Sequence, residues 1–214
     1  MNTAVESIRT TAERESVSAA IRLEAVTKVY RSKNNRSGTA ALDDVSLTVP
    51  RGVFLAVMGR SGSGKSTLLH CAAGLDAPTR GKVWIGDTEI GRLRETARTR
   101  LRRKRVGFVF QAYNLIPSLT VEENITLPLR LAETPGDTTW LATIVDRVGL
   151  RDFLSRTPGE LSGGQQQRVA MARALATRPD VIFADEPTAP STRPPATRSF
   201  PSSTISCVTS DRRS

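Results

Sequence analysis

The feature that most restricts the fold of this chain is an eight-residue stretch, Gly59-Arg-Ser-Gly-Ser-Gly-Lys-Ser66, which matches the pattern G-x-x-x-x-G-K-[ST]. An apolar run at residues 53–58 precedes it and predicts a strand, and residues 65–73 predict a helix that Gly74 stops. Glycines let several backbone N–H groups of such a loop turn inward, and the helix dipole adds to the attraction of anions. We therefore expect an α/β fold with a phosphate site between a buried strand and a helix.

The side chains at the end of this loop supply the rest of the predicted site. Lys65 places a positive charge where the β- and γ-phosphates of a nucleotide would lie, and the Ser66 hydroxyl is a hard oxygen ligand for Mg²⁺. The candidate phosphate-binding residues are Gly59, Arg60, Ser61, Gly62, Ser63, Gly64, Lys65, Ser66 and Thr67.

A second constellation follows the apolar residues 181–184, which predict a strand buried on both faces. Asp185 and Glu186 leave the carboxyl end of this strand, where open α/β sheets bind ligands. Asp185 is placed to hold Mg²⁺ or its water, and Glu186 is a candidate base for the attacking water. Taken alone, the motif fits a helix N-cap or a solvated loop equally well; beside a phosphate loop the catalytic interpretation is favoured.

A third constellation is the segment Leu161-Ser-Gly-Gly-Gln-Gln-Gln-Arg168, which a helical run follows. In the simpler interpretation Ser162 is a helix N-cap and the glycines form a turn. In the functional interpretation Ser162, Gly163, Gly164 and Gln165 form a second anion site. Because the chain already has its own phosphate loop, this helix end would face a γ-phosphate held by another subunit.

Composition restricts the remaining classes of function. The chain has 214 residues, 38% hydrophobic and 24% charged, which is typical of one soluble globular domain. No apolar run approaches the length of a membrane span, and residues 1–20 do not resemble a signal peptide. Two cysteines and a single histidine exclude a disulfide scaffold, a histidine-based metal site and a Ser/His catalytic pair. We expect a cytoplasmic protein.

The formal net charge of +10 is concentrated in the basic run at residues 98–105. A solvated basic face just before a strand is the expected explanation; attraction to anionic lipid or to an acidic loop of another protein stays open. No nucleic-acid partner is expected, because aromatic residues make up 5% of the chain and none lies within that run.

Changes in pattern along the chain predict five segments. Residues 1–20 are a disordered extension, 21–111 the first part of an α/β nucleotide-binding core, and 112–160 a helical subdomain. In that subdomain we expect short helices over 121–131 and 139–148, broken by Pro128, Pro135 and Gly149. Residues 161–188 return to the core, and 189–214 form a non-native tail. Residues 21–26 and 42–49 alternate like strands around a polar loop that runs through Gly38.

With these motifs in place, residues 21–188 resemble the ATP-binding cassette ATPases of membrane transporters. LSGGQQQR matches the family signature and IFADEPT its acidic strand. The resemblance implies a P-loop NTPase fold, with Gln111 linking Mg²⁺ and the attacking water to a membrane partner. It also implies that Tyr30 stacks on adenine, although a strand-end tyrosine packing on the core stays open. The sequence of residues 107–125 is most similar to those of the subgroup that serves macrolide export, lipoprotein release and division-linked permeases.

The resemblance further implies ATP and Mg²⁺ as cofactors, a homodimer and a transmembrane permease subunit as partners. Two cassettes would pair head-to-tail around a two-fold axis, each presenting its signature to the ATP of the other. The chain would then lie at the inner face of the cell membrane, and the permease would determine the transported substrate.

After Thr188 the sequence departs from the family, which continues with a Gly-x-Leu-Asp-Ser loop and later a histidine. Residues 188–196 can be back-translated so that one inserted G restores Thr-Gly-Ala-Leu-Asp-Ser-Thr-Thr-Gly. We therefore expect that one base was lost near codon 188 and that the chain is truncated or frameshifted from there. A genuine disordered tail stays open.

The sequence leaves two other classes of function open. The first is a nucleotide-binding remnant with little or no ATP hydrolysis, because the coupling aspartate and the histidine of the family are absent. The second is a cassette ATPase that acts on DNA or ribosomes, which would usually carry paired cassettes or long inserted arms.

Overall fold

Two four-stranded sheets form the framework of the computed structural model, which describes residues 19–32, 35–185 and 203–209. In chain order the strands are β1 (Ala19–Ser32), β2 (Asn35–Pro50), β3 (Phe54–Gly59), β4 (Arg80–Ile85), β5 (Thr88–Glu89), β6 (Val106–Val109), β7 (Val181–Asp185) and β8 (Ser203–Thr209). The helices are α1 (Lys65–Ala72), α2 (Glu95–Arg105), α3 (Val121–Ala132), α4 (Thr138–Arg147) and α5 (Gly163–Leu175). None of the helices in the described ranges has the length and apolar character needed to span a bilayer.

The first sheet is antiparallel, with strand order β2-β1-β4-β5. Ile21 and Leu23 of β1 are buried and pair across the ladder with apolar residues of both β2 and β4. The predicted strands at 21–26 and 42–49 are confirmed, but the polar loop through Gly38 is wrong. β2 already begins at Asn35, and β1 begins at Ala19 inside the predicted extension. Ladder hydrogen bonds join backbones, so pairing continues where the side chains are polar.

The second sheet has the order β3-β8-β7-β6. β6 and β7 are parallel, and β8 is antiparallel to both of its neighbours. It follows that β3, β6 and β7 all run in the same direction. Their carboxyl ends, and the loops that leave them, therefore meet at one edge of the sheet.

The α/β fold is confirmed, but β8 differs from the expectation that the final strands were missing. The prediction placed no element after residue 188, whereas residues 203–209 form a strand. Their sequence, STISCVT, is rich in β-branched residues, and the gap between β3 and β7 offers two edges to pair with. The remainder of the predicted tail lies outside the described residues.

Apolar side chains form two main clusters. One lies among α1, the first sheet and β7, and includes Leu69, Cys71, Val83 and Phe183. The other joins α3 and α4 to α5 and accounts for the helical region between β6 and β7. In contrast, α2 carries the basic run and buries none of its residues, as expected for a solvated basic face.

The predicted break at Pro128 is wrong, because α3 continues through it from Val121 to Ala132. The proline removes one backbone hydrogen bond from the helix. Ile125 and Leu129, on either side of it, are buried in the second apolar cluster. A capping box at Thr120 and Glu123 fixes the start of the helix. Tertiary packing therefore outweighs the local preference of proline.

Candidate active site

The predicted phosphate loop connects the end of β3 to the start of α1 and has the backbone of an anion nest. Gly62 and Gly64 have φ angles of 77° and 87°, in the left-handed region. A Cβ atom on Gly64 would lie 2.2 Å from the carbonyl oxygen of Ala41 on β2. Both the backbone angle and the approach of β2 therefore require glycine at this position. Arg60, Ser61 and Ser63 are exposed to solvent.

Lys65 is buried within this loop, with 7% of its surface exposed. Its Nζ donates hydrogen bonds to the carbonyl oxygens of Gly59 at 2.8 Å and Arg60 at 2.7 Å, and to Ser63 Oγ at 3.3 Å. Three neutral acceptors hold the ammonium group inside the nest. An anionic phosphate oxygen is a stronger acceptor than any of them, so the lysine is positioned to exchange these partners for a phosphate.

Ser66 and Asp185 come together from distant parts of the chain. Ser66 lies in the first turn of α1, next to Thr67, and Asp185 is the last residue of β7. The Ser66 Oγ and Asp185 Oδ1 atoms are 3.5 Å apart. A hydroxyl and a carboxylate oxygen at this separation fit the ligand preference of Mg²⁺. The structure thus joins the phosphate loop to the acidic strand, as the sequence predicted.

Gln111 follows β6, which pairs with β7 so that Val109 lies opposite Ala184. The side chain is therefore carried from the same sheet edge as Asp185 and is exposed. Two residues further on, Tyr113 and Asn114 have positive φ angles of 58° and 48°. Glu186, the predicted base, lies outside the described residues.

Tyr30 lies near the end of β1 and has 47% of its surface exposed, so it does not pack in the core. Its partner on β2 is Thr39, two residues from the Ala41 carbonyl that contacts the phosphate loop. The Tyr30 hydroxyl donates to Asp76 Oδ2 at 2.9 Å, and Lys28 Nζ donates to Asp76 Oδ1 at 2.6 Å. Tyr30 is therefore held at a register position two residues from the one whose carbonyl approaches the phosphate loop.

Asp76 was not identified from the sequence, although it anchors Tyr30. Burial raises the pKa of its carboxyl, but the hydrogen bonds from Lys28 and Tyr30 outweigh this and lower the pKa below its ordinary value of 3.8. The carboxylate is thus charged at neutral pH. The only signal in the sequence is an acidic residue two positions after Gly74, the glycine that stops α1, and no pattern connects that residue to β1.

The predicted signature segment forms the N-terminus of α5. Ser162 and Gln165 form a capping box, in which Gln165 N donates to Ser162 Oγ at 3.3 Å and Ser162 N to Gln165 Oε1 at 2.7 Å. Gly163 and Gly164 are exposed, and a Cβ atom on either would meet nothing within 4 Å. Packing against the described residues therefore does not explain the glycines. No hydrogen bond or ion pair among the described residues joins this segment to the phosphate loop.

Two further side chains near the site were missed. Arg173, in the last turn of α5, donates to the carbonyl oxygens of Asn114 and Tyr113, each at 2.6 Å. Asn124 is fully buried and bonds to the backbone of Ile116, Leu119 and Thr120. Both bind backbone atoms of the segment after Gln111, and contacts of this kind leave no pattern in a sequence.

The fold and the joined motifs define a P-loop ATP-binding cassette. A solved dimer of the cassette MJ0796, bound to ADP and Pi in a post-hydrolysis state, matches with a TM-score of 0.71 and 41% identity. The match covers 78% of this chain and 74% of that one. The family model described as ABC transporter matches residues 42–189. This chain belongs to the ABC transporter family.

Two kinds of relative illustrate its place in the family. Methionine import ATP-binding protein MetN of Rhodopseudomonas palustris is 48% identical over 170 residues, which are 78% of this chain and 46% of that protein. Lipoprotein-releasing system ATP-binding protein LolD of Aquifex aeolicus is 45% identical over 175 residues, 78% of this chain and 73% of that protein. The chain thus spans less than half the length of the MetN relative. The lipoprotein-releasing relatives lie in the subgroup that the sequence of the motif residues predicted. Methionine import proteins match this chain at similar identity.

Proposed function

We propose that this chain is the ATP-binding subunit of a membrane transporter, which binds Mg-ATP and hydrolyses it as a dimer. The observation that carries the proposal is the meeting of the buried Lys65 with the Ser66–Asp185 pair at one sheet edge. A cation inside an anion nest, beside two hard oxygen ligands, suits a nucleoside triphosphate with its metal ion. Hydrophobic packing does not account for a buried lysine next to a hydroxyl–carboxylate pair, so the combination points to binding rather than to stability.

Each predicted residue then has a role in binding or hydrolysis. The backbone of the loop 59–65 and the Lys65 ammonium bind the β- and γ-phosphates, and the exposed ring of Tyr30 stacks on the adenine. Ser66, Asp185 and Gln111 would hold Mg²⁺, which when bound neutralises charge on the phosphates. Glu186 orients the attacking water and accepts its proton.

The dimer completes the site. Ser162, Gly163, Gly164 and Gln165 of a second copy would face the γ-phosphate bound by the first, where the open space over both glycines allows close backbone approach. The N-terminus of α5 adds its dipole. The dimeric state of the solved cassette MJ0796 supports this arrangement.

The partner we propose is a transmembrane permease subunit, with this chain on the cytoplasmic side of the membrane. Its relatives are named for methionine import and for lipoprotein release. The site residues described above would contact the nucleotide rather than a transported substrate. We therefore leave the substrate class to the permease. A nucleic-acid partner is not proposed, because several cations of α2 are engaged within the chain, as Arg98 and Arg102 are with Glu95.

A second candidate is a nucleotide-binding remnant that does not turn over. It is favoured by the absence of the Gly-x-Leu-Asp-Ser loop after Thr188, and by the antiparallel β8 in the centre of the second sheet. Release of phosphate from ATP by the purified chain separates the two candidates. Steady turnover with Mg-ATP would exclude the remnant, whereas tight binding without turnover would establish it.

Substitution of Lys65 tests the binding site itself. Lys65→Ala removes a charge-assisted contact with phosphate, so we expect ATP affinity to fall by about 10- to 100-fold. Lys104→Ala, on the exposed face of α2, is the matched control and should bind ATP like the wild type. Glu186→Gln should retain binding, abolish hydrolysis and favour the ATP-bound dimer in sedimentation experiments. Unchanged ATP affinity in Lys65→Ala would refute the assignment of the phosphate loop.

A further inference from the structure

The loop that leaves Gln111 has an unfavourable backbone. Tyr113 and Asn114 are consecutive residues in the left-handed region, at φ angles of 58° and 48°, and neither is glycine. Local hydrogen bonds from Tyr113 N to Phe110 O and from Asn114 N to Ala112 O close the turn. Side chains other than glycine persist in this conformation only where the surroundings hold them there. Some contact from outside the loop must therefore stabilise it.

Tyr113 packs against Val109, Ala170 and Ala174, and a polar contact comes from Arg173. Its two terminal nitrogens donate separately to the carbonyl oxygens of Tyr113 and Asn114, both at 2.6 Å. One planar guanidinium is therefore hydrogen-bonded to both left-handed residues. No ion pair to Arg173 occurs among the described residues, and burial lowers the pKa of its guanidinium below the usual value for arginine. Partial burial of a cation costs free energy, and the two hydrogen bonds to neutral carbonyl oxygens offset part of that cost.

Arg173 also lies on a rigid support. Helix α5 is buried on two sides, with Val169 and Ala172 in the helical cluster and Ala170 and Ala174 against β6. The helix begins at the signature residue Ser162, eleven residues before Arg173, which corresponds to about 16 Å along the axis. Any displacement of the signature end is thus transmitted to the guanidinium with little bending.

We propose that Arg173 is a positioning residue, which fixes the loop after Gln111 and makes the position of Gln111 depend on α5. Gln111 would then reach the Mg²⁺ site only while α5 holds the two carbonyls. This inference rests on the proposed role of Gln111 at the metal. Asn124, which binds residues 116–120 from α3, anchors the far end of the same segment. At the turn itself, the polar contacts from outside the loop are those of Arg173.

The first test measures the loop without using nucleotide. Amide hydrogen exchange of residues 110–120 is compared among the wild type, Arg173→Gln and Arg173→Lys. Loss of two charge-assisted hydrogen bonds should speed exchange about ten-fold or more in Arg173→Gln, with a smaller change in Arg173→Lys, which keeps the charge and reaches one carbonyl. The control is Arg168→Gln on the same helix, whose side chain donates a single bond to Val148 O. Unchanged exchange in both Arg173 variants would overturn the inference.

The second test asks whether the loop serves the metal. Binding of a fluorescent ATP analogue is titrated with Mg²⁺ in each variant. We expect Arg173→Gln to need about ten-fold more Mg²⁺ for half-maximal tightening, with unchanged affinity in EDTA, and Arg168→Gln to match the wild type. Faster loop exchange with an unchanged Mg²⁺ requirement would overturn the positioning role. If the nucleotide affinity of the wild type does not depend on Mg²⁺, the proposed function is refuted instead. Hydrogen exchange would still show whether Arg173 holds the loop.

Discussion

Substitution of Gly64 by alanine tests whether β2 and the phosphate loop are as closely packed as the structure indicates. The new Cβ atom would lie 2.2 Å from the Ala41 carbonyl oxygen, whereas real Cβ contacts essentially never fall below 3.0 Å, so one backbone must move by at least 0.8 Å. The left-handed φ of 87° costs alanine about 1–2 kcal/mol. Forcing β2 away from the loop costs a further 1–3 kcal/mol or so. We expect a total loss of about 2–5 kcal/mol in the free energy of unfolding.

Thermal unfolding followed by circular dichroism measures this loss. For a chain of this size each kcal/mol lowers Tm by about 2–4 °C, so a loss near the middle of the range lowers Tm by roughly 10 °C. Gly91→Ala is the matched control, because a Cβ atom there meets nothing within 4 Å and its backbone is not left-handed. ATP binding should also be lost in Gly64→Ala, since the nest would open. A Gly64→Ala protein with the Tm and ATP affinity of the wild type would refute the packing argument.

Two further predictions concern stability. Asn124→Asp places a carboxylate against the carbonyl oxygens of Ile116, Leu119 and Thr120 in a fully buried position. Urea unfolding should therefore show that the free energy of unfolding falls by at least about 3 kcal/mol. A decrease of less than about 1 kcal/mol would contradict the described hydrogen bonds. Burial, with a contribution from the charge of Asp76, raises the pKa of Cys71 from 9.0 to about 11, so the folded state favours the neutral thiol. Its contribution to stability is therefore complete below pH 9.0 and lost as the pH rises towards 11, and Cys71→Ala should lose less stability over that interval than the wild type.

The sequence predicted the parts of the site that depend on local pattern. The phosphate loop needs glycines and a lysine at fixed spacing between a strand and a helix. Ser162 is the N-cap of α5, as the simpler of the two interpretations of that segment had it. The neighbouring positions of Ser66 and Asp185 followed from a general rule about the carboxyl ends of parallel strands. These positions could be predicted because each depends on a few adjacent residues or on a constraint that all α/β sheets share.

The features that the sequence missed depend on contacts between distant residues. Residues 54–59 are almost uniformly apolar, yet Phe54 and Met58 remain 62% and 70% exposed, because within the described part of the chain β3 is covered on one face only. Helix α3 continues through Pro128 because Ile125 and Leu129 pack against other elements. Hydrogen bonds from side chains to backbone carbonyls, such as those of Arg173, require no complementary residue type and so cannot be predicted from residue identity.

The position of β8 also determines when this protein can fold during its synthesis. β3 and β7 do not pair with each other, because residues 203–209 lie between them. A nascent chain that has emerged as far as Asp185 therefore carries the phosphate loop and the acidic strand without a ladder between them. At ribosomal rates of 5–20 residues per second, the 24 residues to Thr209 take about 1 to 5 s. For that interval two strand edges stay open to other nascent chains, so slower translation over residues 186–209 should lower the soluble yield.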